Sequence, residues 1–245
     1  MKTALAHVGL FTSQTGDLLE LMLETIQNDL KTASFGVLLR LALIGIAFGM
    51  IWLDIAVFKT EILEISFTEI TQEIMLFVCA LLFWLAPGSV QQQGFRVLAG
   101  GFFACLLMRE LDGLFDPVSH SAWCWPFSII ALICIAVGVK SSNRSNTFEA
   151  LAAFARTPSF GALSTGLGVL VFSRIFGMGA LWHLILNDGY ARLAKTTVEE
   201  GIELLAYSMW LAASIEYFLL QRAAQTRKTE APRLLRENAL QARQR

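Results

Sequence analysis

Apolar residues along this 245-residue chain come in long runs, not in the strict alternation of strands. Runs of about 18–22 residues are long enough to cross a hydrocarbon core as helix. The pattern predicts six spans, over residues 36–57, 69–86, 95–113, 123–140, 163–187 and 200–220. The polar turn APGSVQQQ separates the second from the third, and KSSNRSNTFEALAAFARTPS separates the fourth from the fifth. The short alternating segments of a membrane barrel are absent. The expected fold class is therefore all-α, a polytopic membrane helix bundle of about six transmembrane helices.

Ahead of the first span, TGDLLELMLETIQNDLKT (residues 15–32) has the period of an amphipathic helix. Asp17, Glu20, Glu24, Gln27, Asn28 and Lys31 share one face; Leu18, Leu19, Met22, Leu23, Ile26 and Leu30 share the other. Surface helices that bind lipid carry a basic polar face. This one is acidic, which favours packing on the protein's own bundle or on a cytoplasmic protein partner. The expected organisation is residues 1–34 as an N-terminal cytoplasmic helix, 35–221 as the six-helix transmembrane domain, and 222–245 as a basic cytoplasmic tail. Lys2 and the short run ALAHVGLF, interrupted by His7, do not make a cleaved signal peptide.

Composition agrees with the pattern. Hydrophobic residues make up 55% of the chain and charged residues 16%, where soluble domains carry about 25% charge. Mean hydropathy is +0.57. The lipid bilayer is thus the first expected partner. Charge distribution then orients the spans. Lys2, Lys31, Arg40, Arg96, Lys140, Arg144, Arg156 and seven basic residues of the tail fall on one side, fourteen in all. Lys59, Arg109, Arg192 and Lys195 fall on the other, and Arg174 lies mid-span. The positive-inside rule puts both termini in the cytoplasm, in a bacterial-type inner (plasma) membrane. The basic tail is read as a topology anchor; nothing points to nucleic acid. Cys79, Cys105, Cys124 and Cys134 lie in or beside apolar runs without a CxxC pair and read as packing residues, Cys124 being the one to test for reactivity. Gly45 and Gly49 form a GxxxG pair, which permits close helix approach. On the cytoplasmic side Arg40 and Glu216 sit at equal depth, as a structural pair would.

The stretch MRELDGLFDPVSH (residues 108–120) places charges and a histidine between two apolar runs. It has company. Asp54, Glu61, Glu64, Glu69, Glu73, Glu110, Asp112, Asp116, Asp188, Glu199, Glu200 and Glu203 put twelve of the twenty carboxylates at the outer ends of the spans. Glu69 and Glu73 are four apart and share a helix face. Glu200, Glu203 and Tyr207 continue a similar stripe in the sixth span. Ionisable groups at the hydrocarbon edge are costly unless they face the bundle or a wet cavity. The spacing therefore predicts an outward-opening polar pocket between spans two, three, five and six. Its residues are Glu69, Glu73, Arg109, Glu110, Asp112, Arg174, His183, Glu200, Glu203 and Tyr207. Arg109 would pair with Glu73, Asp112 or Glu203; Arg174 would reach Glu73 or Glu203. The alternative is an ion-pair network that only locks helices together.

The pocket's chemistry stays open at this level. His120 and His183 with nearby carboxylates are acceptable ligands for a divalent metal such as zinc. With three histidines in the chain and no HxxxH, HExxH or HxxE spacing, that signal is slight. No P-loop, GxGxxG or GxSxG occurs, and Ser173 and Ser208 read as ordinary helix serines. The leading expectation is binding or transport of a cation, a proton or a small cationic molecule. The alternatives are a metal-assisted membrane hydrolase acting on a lipid-type substrate, with Glu110 or Glu203 as base, and an accessory or sensor subunit with a purely structural charge cluster.

Overall fold

A computed structural model of the chain describes residues 2–60, 62, 65–140, 144–186 and 192–243, with side chains placed for 19, 20, 22–60, 62, 65–140, 144–186, 192–230 and 232. Glu61, Glu64 and Asp188, three of the outer carboxylates, lie outside the described residues. The described residues are helical with no strand. The chain divides into two units, residues 1–42 and residues 43–245.

Among the described residues nine α-helices follow in order: α1 (Lys2–Trp52), α2 (Phe67–Leu85), α3 (Gln93–Glu110), α4 (Asp112–Phe115), α5 (Cys124–Val139), α6 (Arg144–Phe154), α7 (Pro158–Gly177), α8 (Gly179–Leu186) and α9 (Arg192–Arg243). Among the described residues four helical stretches are long and apolar enough to cross a membrane: Met22–Phe58, Phe67–Leu85, Pro158–Gly177 and Arg192–Glu230. A fifth is added if α5 and α6, which meet at a bend of 101°, form one broken span.

Two predicted boundaries are corrected. The amphipathic helix at 15–32 and the first span at 36–57 form one helix, α1, because Ala33-Ser34-Phe35 holds no breaker. On that helix Leu19, Leu23, Ile26 and Leu30 are exposed. The predicted span at 163–187 is two helices. α7 stops at Gly177, Met178 leaves helical geometry with ψ 110°, and α8 starts at Gly179.

Local chemistry sets the ends that matter for the site. α1 closes in a π-helical turn over Leu53–Phe58, and Lys59 follows in the left-handed region with φ 52°. Inside that turn Asp54 is fully buried. One of its carboxylate oxygens accepts from Thr60 Oγ1 at 2.8 Å and the Phe67 amide at 3.0 Å. The other accepts from the Thr68 amide at 2.7 Å and Thr68 Oγ1 at 2.6 Å. Two otherwise unsatisfied N–H groups of α2's first turn are thus met by an anion at the positive end of the helix. Ser66 caps the same helix, its Oγ accepting from the Glu69 amide at 3.2 Å. α2 ends at Leu85 because Ala86 precedes Pro87 and is pushed extended, to ψ 128°. Arg96 of α3 donates to the freed Ala86 carbonyl. α7 opens with Thr157 as cap, accepting from the Phe160 amide at 3.3 Å, and with Pro158 in its first turn.

Packing runs in a row: α7 lies on α9, α9 on α2, α2 on α3, and α3 on α5, with α6 also against α3. The α2–α9 contact is the centre. Cys79, Ala80 and Phe83 of α2 and Ala206, Ala212, Ala213 and Ser214 of α9 are buried, and most of these are small. Small residues let helices approach closely where lipid supplies no hydrophobic push between them. Around this centre Phe83 stacks on Tyr217 with centroids 4.8 Å apart and on Phe103 at 5.7 Å. Close approach does not use the predicted GxxxG pair: a Cβ on Gly45 or Gly49 would meet nothing within 4 Å. It uses Gly101 of α3, where a Cβ would come to 2.5 Å from Cys134 Sγ of α5, and Gly166 of α7, where it would come to 2.6 Å from Trp210 Nε1. Cys79, Cys105 and Cys134 are buried and Cys124 is exposed, all as free thiols.

Candidate functional site

The N-terminal turns of α2 and α9 and the C-terminal turns of α3 and α7 meet at one end of the bundle. There they enclose a cavity of about 550 Å³. α2 contributes Glu69, Gln72 and Glu73; α3 and α4 contribute Arg109, Glu110 and Asp112. α7 contributes Arg174, and α9 contributes Glu199, Glu200 and Glu203. Seven carboxylates therefore face two guanidiniums in one space. Crowding of that order favours a cation or retained protons.

Glu203 is the inner pivot. Its side chain is 2% exposed, and it forms an ion pair with Arg174 through Oε1. Arg109 Nη1 lies 3.9 Å from its Oε2. A single buried carboxylate on α9 thus bridges cations from α3 and α7. Ser173 Oγ sits 3.2 Å from Glu203 Oε1 and 2.6 Å from the Leu170 carbonyl. Ser173 is accordingly part of the site, where the sequence had it as an ordinary helix serine; only packing reveals its neighbour.

The remaining carboxylates differ in how they are met. Glu110 Oε1 accepts from Arg109 and, at 2.7 Å, from Tyr207 Oη. Tyr207 is fully buried behind the cavity and stacks on Trp210 with centroids 5.5 Å apart. Glu199 pairs with Lys195 at 3.1 Å and faces Arg174 at 3.8 Å. Glu200 accepts from Gln72 Nε2 at 3.1 Å, and the same amide reaches the Glu200 carbonyl at 3.1 Å. Glu73 is different. Among the described residues it has no hydrogen-bond or ion-pair partner, and the charge acting on it is Glu110.

Of the ten residues expected in the pocket, eight line this cavity and Tyr207 stands directly behind it. His183 is not among the lining residues. The break at Met178 puts it on α8, where it is exposed instead of continuing the α7 face. The same break moves Arg174 from mid-span to the last turn of α7. Arg109 and Asp112, expected as neighbours on one helix, are divided by the end of α3 at Glu110. His120 is 93% exposed, with Nδ1 3.2 Å from Asp116 Oδ1. His120 thus meets Asp116, and neither histidine lines the cavity. Among the described residues no group of three or more His, Cys, Asp or Glu has metal-holding geometry. Asp54, counted with the outer carboxylates, serves α2's first turn and does not line the cavity. No protein-family model, curated protein or solved structure matches the chain.

Proposed function

We propose that this chain is a six-span membrane protein with both termini cytoplasmic, in an inner (plasma) membrane, whose outward acidic cavity binds a cation: a metal ion, a proton or a small organic cation. The observation that carries the binding reading is Glu73. A network built only to hold helices together meets its charges, as Glu203 and Glu199 are met by cations and Glu200 by the Gln72 amide. Glu73 faces the cavity with only a like charge beside it. An added cation satisfies both carboxylates at once.

For the span count, α3 is 18 residues long, about 27 Å of helix. It carries Arg96, Arg109 and Glu110, the first near its start and the others at its end, so its middle is uncharged. Arg96 turns onto the Ala86 carbonyl and the other two enter the cavity, which suits a third span. Counting Arg174 at the cavity end leaves fourteen basic residues on the opposite side against five on this one. The orientation is checked by Cys124, the one exposed thiol among four. In sealed right-side-out vesicles a membrane-impermeant maleimide is expected to label Cys124, and Cys124→Ser to abolish the label. Labelling that appears only after permeabilisation reverses the topology.

The binding test is titration of the purified protein with calcium, sodium, tetramethylammonium and spermidine, read by calorimetry. At least one of these is expected to bind. A charge-assisted contact contributes about 1.5–3 kcal/mol, so Glu73→Gln is expected to weaken that cation about tenfold to hundredfold. Glu149→Gln, on α6 away from the cavity, should leave binding unchanged. If none binds to wild type at any pH between 5 and 8, the cluster is a structural network and the accessory-subunit reading takes its place.

A further inference from the structure

A second cavity, of about 350 Å³, lies deeper in the same bundle. α2 and α9 stand between α3 and α7. Phe83 and Trp210 line the cavity from that central pair, Phe102 and Phe103 from α3, and Leu163 and Leu167 from α7. It offers no spare hydrogen-bonding group. The one lining hydroxyl, Ser164 Oγ, donates to the Gly161 carbonyl at 3.0 Å. The indole Nε1 of Trp210 donates to the Leu163 carbonyl at 2.8 Å. The rim is greasy too: Phe102 is 46% exposed, Phe160 38% and Leu167 46%. A chain in water would not keep such a mouth open; in a membrane it opens onto hydrocarbon.

Register places this cleft within the bilayer. On α3, Phe102 is seven residues from Arg109; on α7, Leu167 is seven from Arg174; on α9, Trp210 is seven from Glu203. Three helices thus give the same separation between apolar and acidic cavities, about 10 Å along the bundle. Size narrows the occupant. A helix with its side chains is about 10–12 Å across, too thick for a cleft of 350 Å³, which instead falls in the range of small-ligand sites.

We propose that this cleft holds the acyl chain of a membrane lipid, entering sideways between α3 and α7. The inference rests on the membrane-bundle reading above and is independent of cation binding. With Tyr207 buried between the two cavities, the lipid chain would pack on Trp210 from one side while Tyr207 stacks on it and reaches Glu110.

The test uses the full chain reconstituted in phosphatidylcholine vesicles containing a phospholipid with a mid-chain diazirine. After irradiation, adducts are mapped by mass spectrometry. Adducts on the cleft faces of α3 and α7 are expected to exceed those on Ile129, Leu132 and Ile133, the exposed face of α5. Ala99→Phe and Ser164→Phe fill the cleft from opposite sides. Each is expected to cut cleft adducts about tenfold by steric exclusion and to leave those on α5 unchanged. Phe102→Ala should raise them, and Glu73→Gln should not alter the pattern. Cleft labelling no greater than that of α5, or unaffected by both fillers, overturns the proposal. So does a cleft that resists labelling while two chains cross-link across it, which assigns it to a second copy. Absence of adducts on α5 as well overturns the membrane reading, and this inference with it.

Discussion

Glu203→Leu is expected to destabilise the bundle by about 3 kcal/mol, the low end for removing one partner of a buried pair. Leucine fits the site by size, so the loss is electrostatic. It takes the nearest carboxylate from Arg174, which keeps only Glu199 at 3.8 Å, and the second carboxylate from Arg109, which keeps Glu110. The low end applies because these guanidiniums are 45% and 38% exposed, and water offsets part of the loss. The measurement is an unfolding titration in mixed micelles with a double-mutant cycle. Arg174→Met alone should also destabilise, but added to Glu203→Leu it should recover about 1 kcal/mol or more, since an apolar pair can replace an ionic one. Strict additivity would show that the two side chains do not act on each other.

Asp54→Ala should cost about 3 kcal/mol, and Asp54→Asn about as much. Each carboxylate oxygen accepts two donors, from Thr60, Phe67 and Thr68. An asparagine keeps one oxygen and turns an NH₂ onto one backbone amide and one threonine hydroxyl. The hydroxyl can reverse to accept, but the amide N–H is left facing a donor in a buried place, and the charge at the helix start is lost. Loss of a helix cap alone is about 1 kcal/mol; the buried threonine hydroxyl and the second amide add the rest. Hydrogen exchange should localise the damage, with amides of Phe67 to Gln72 exchanging faster in both variants and those of α7 unchanged. Because Glu69, Gln72 and Glu73 stand on that turn, cation affinity should fall with it. Full protection of α2 in Asp54→Asn would mean that charge and both oxygens are dispensable there.

The helices were legible where apolar runs were long. The cavity's members were legible because carboxylates recur at helical spacing: Glu69 with Glu73, and Glu199 with Glu203. Spacing gives a face, and a face that is charged at the hydrocarbon edge has to turn inward. Partner choice is another matter. That Glu203 bridges Arg109 and Arg174 depends on how α3, α7 and α9 pack, which no single helix encodes. Ser173 and Glu73 show both sides of this: one gained a neighbour, the other lacks one, and neither follows from sequence spacing. The α7–α8 break was hidden because Gly177-Met178-Gly179 continues an apolar run, and glycine is unremarkable in membrane helices. It displaced His183 and Arg174 together. The Asp54 contact was half visible, since Ser66 followed three residues later by Glu69 marks a helix start. Its acceptor, a carboxylate 13 residues upstream of Phe67, was not.

α9 continues from the cavity for many turns as one helix, 52 residues long against 19 in α2 and 20 in α7. From Glu203 to Glu230 it is 27 residues, a rod of about 40 Å. Such a rod is a lever. If binding between Glu73 and Glu203 tilts α9 by about 5° at the cavity, the rod's far end sweeps through about 3.5 Å, more than a hydrogen bond can stretch. On the proposed binding reading, helix length alone would carry a change at the acidic end to the opposite side.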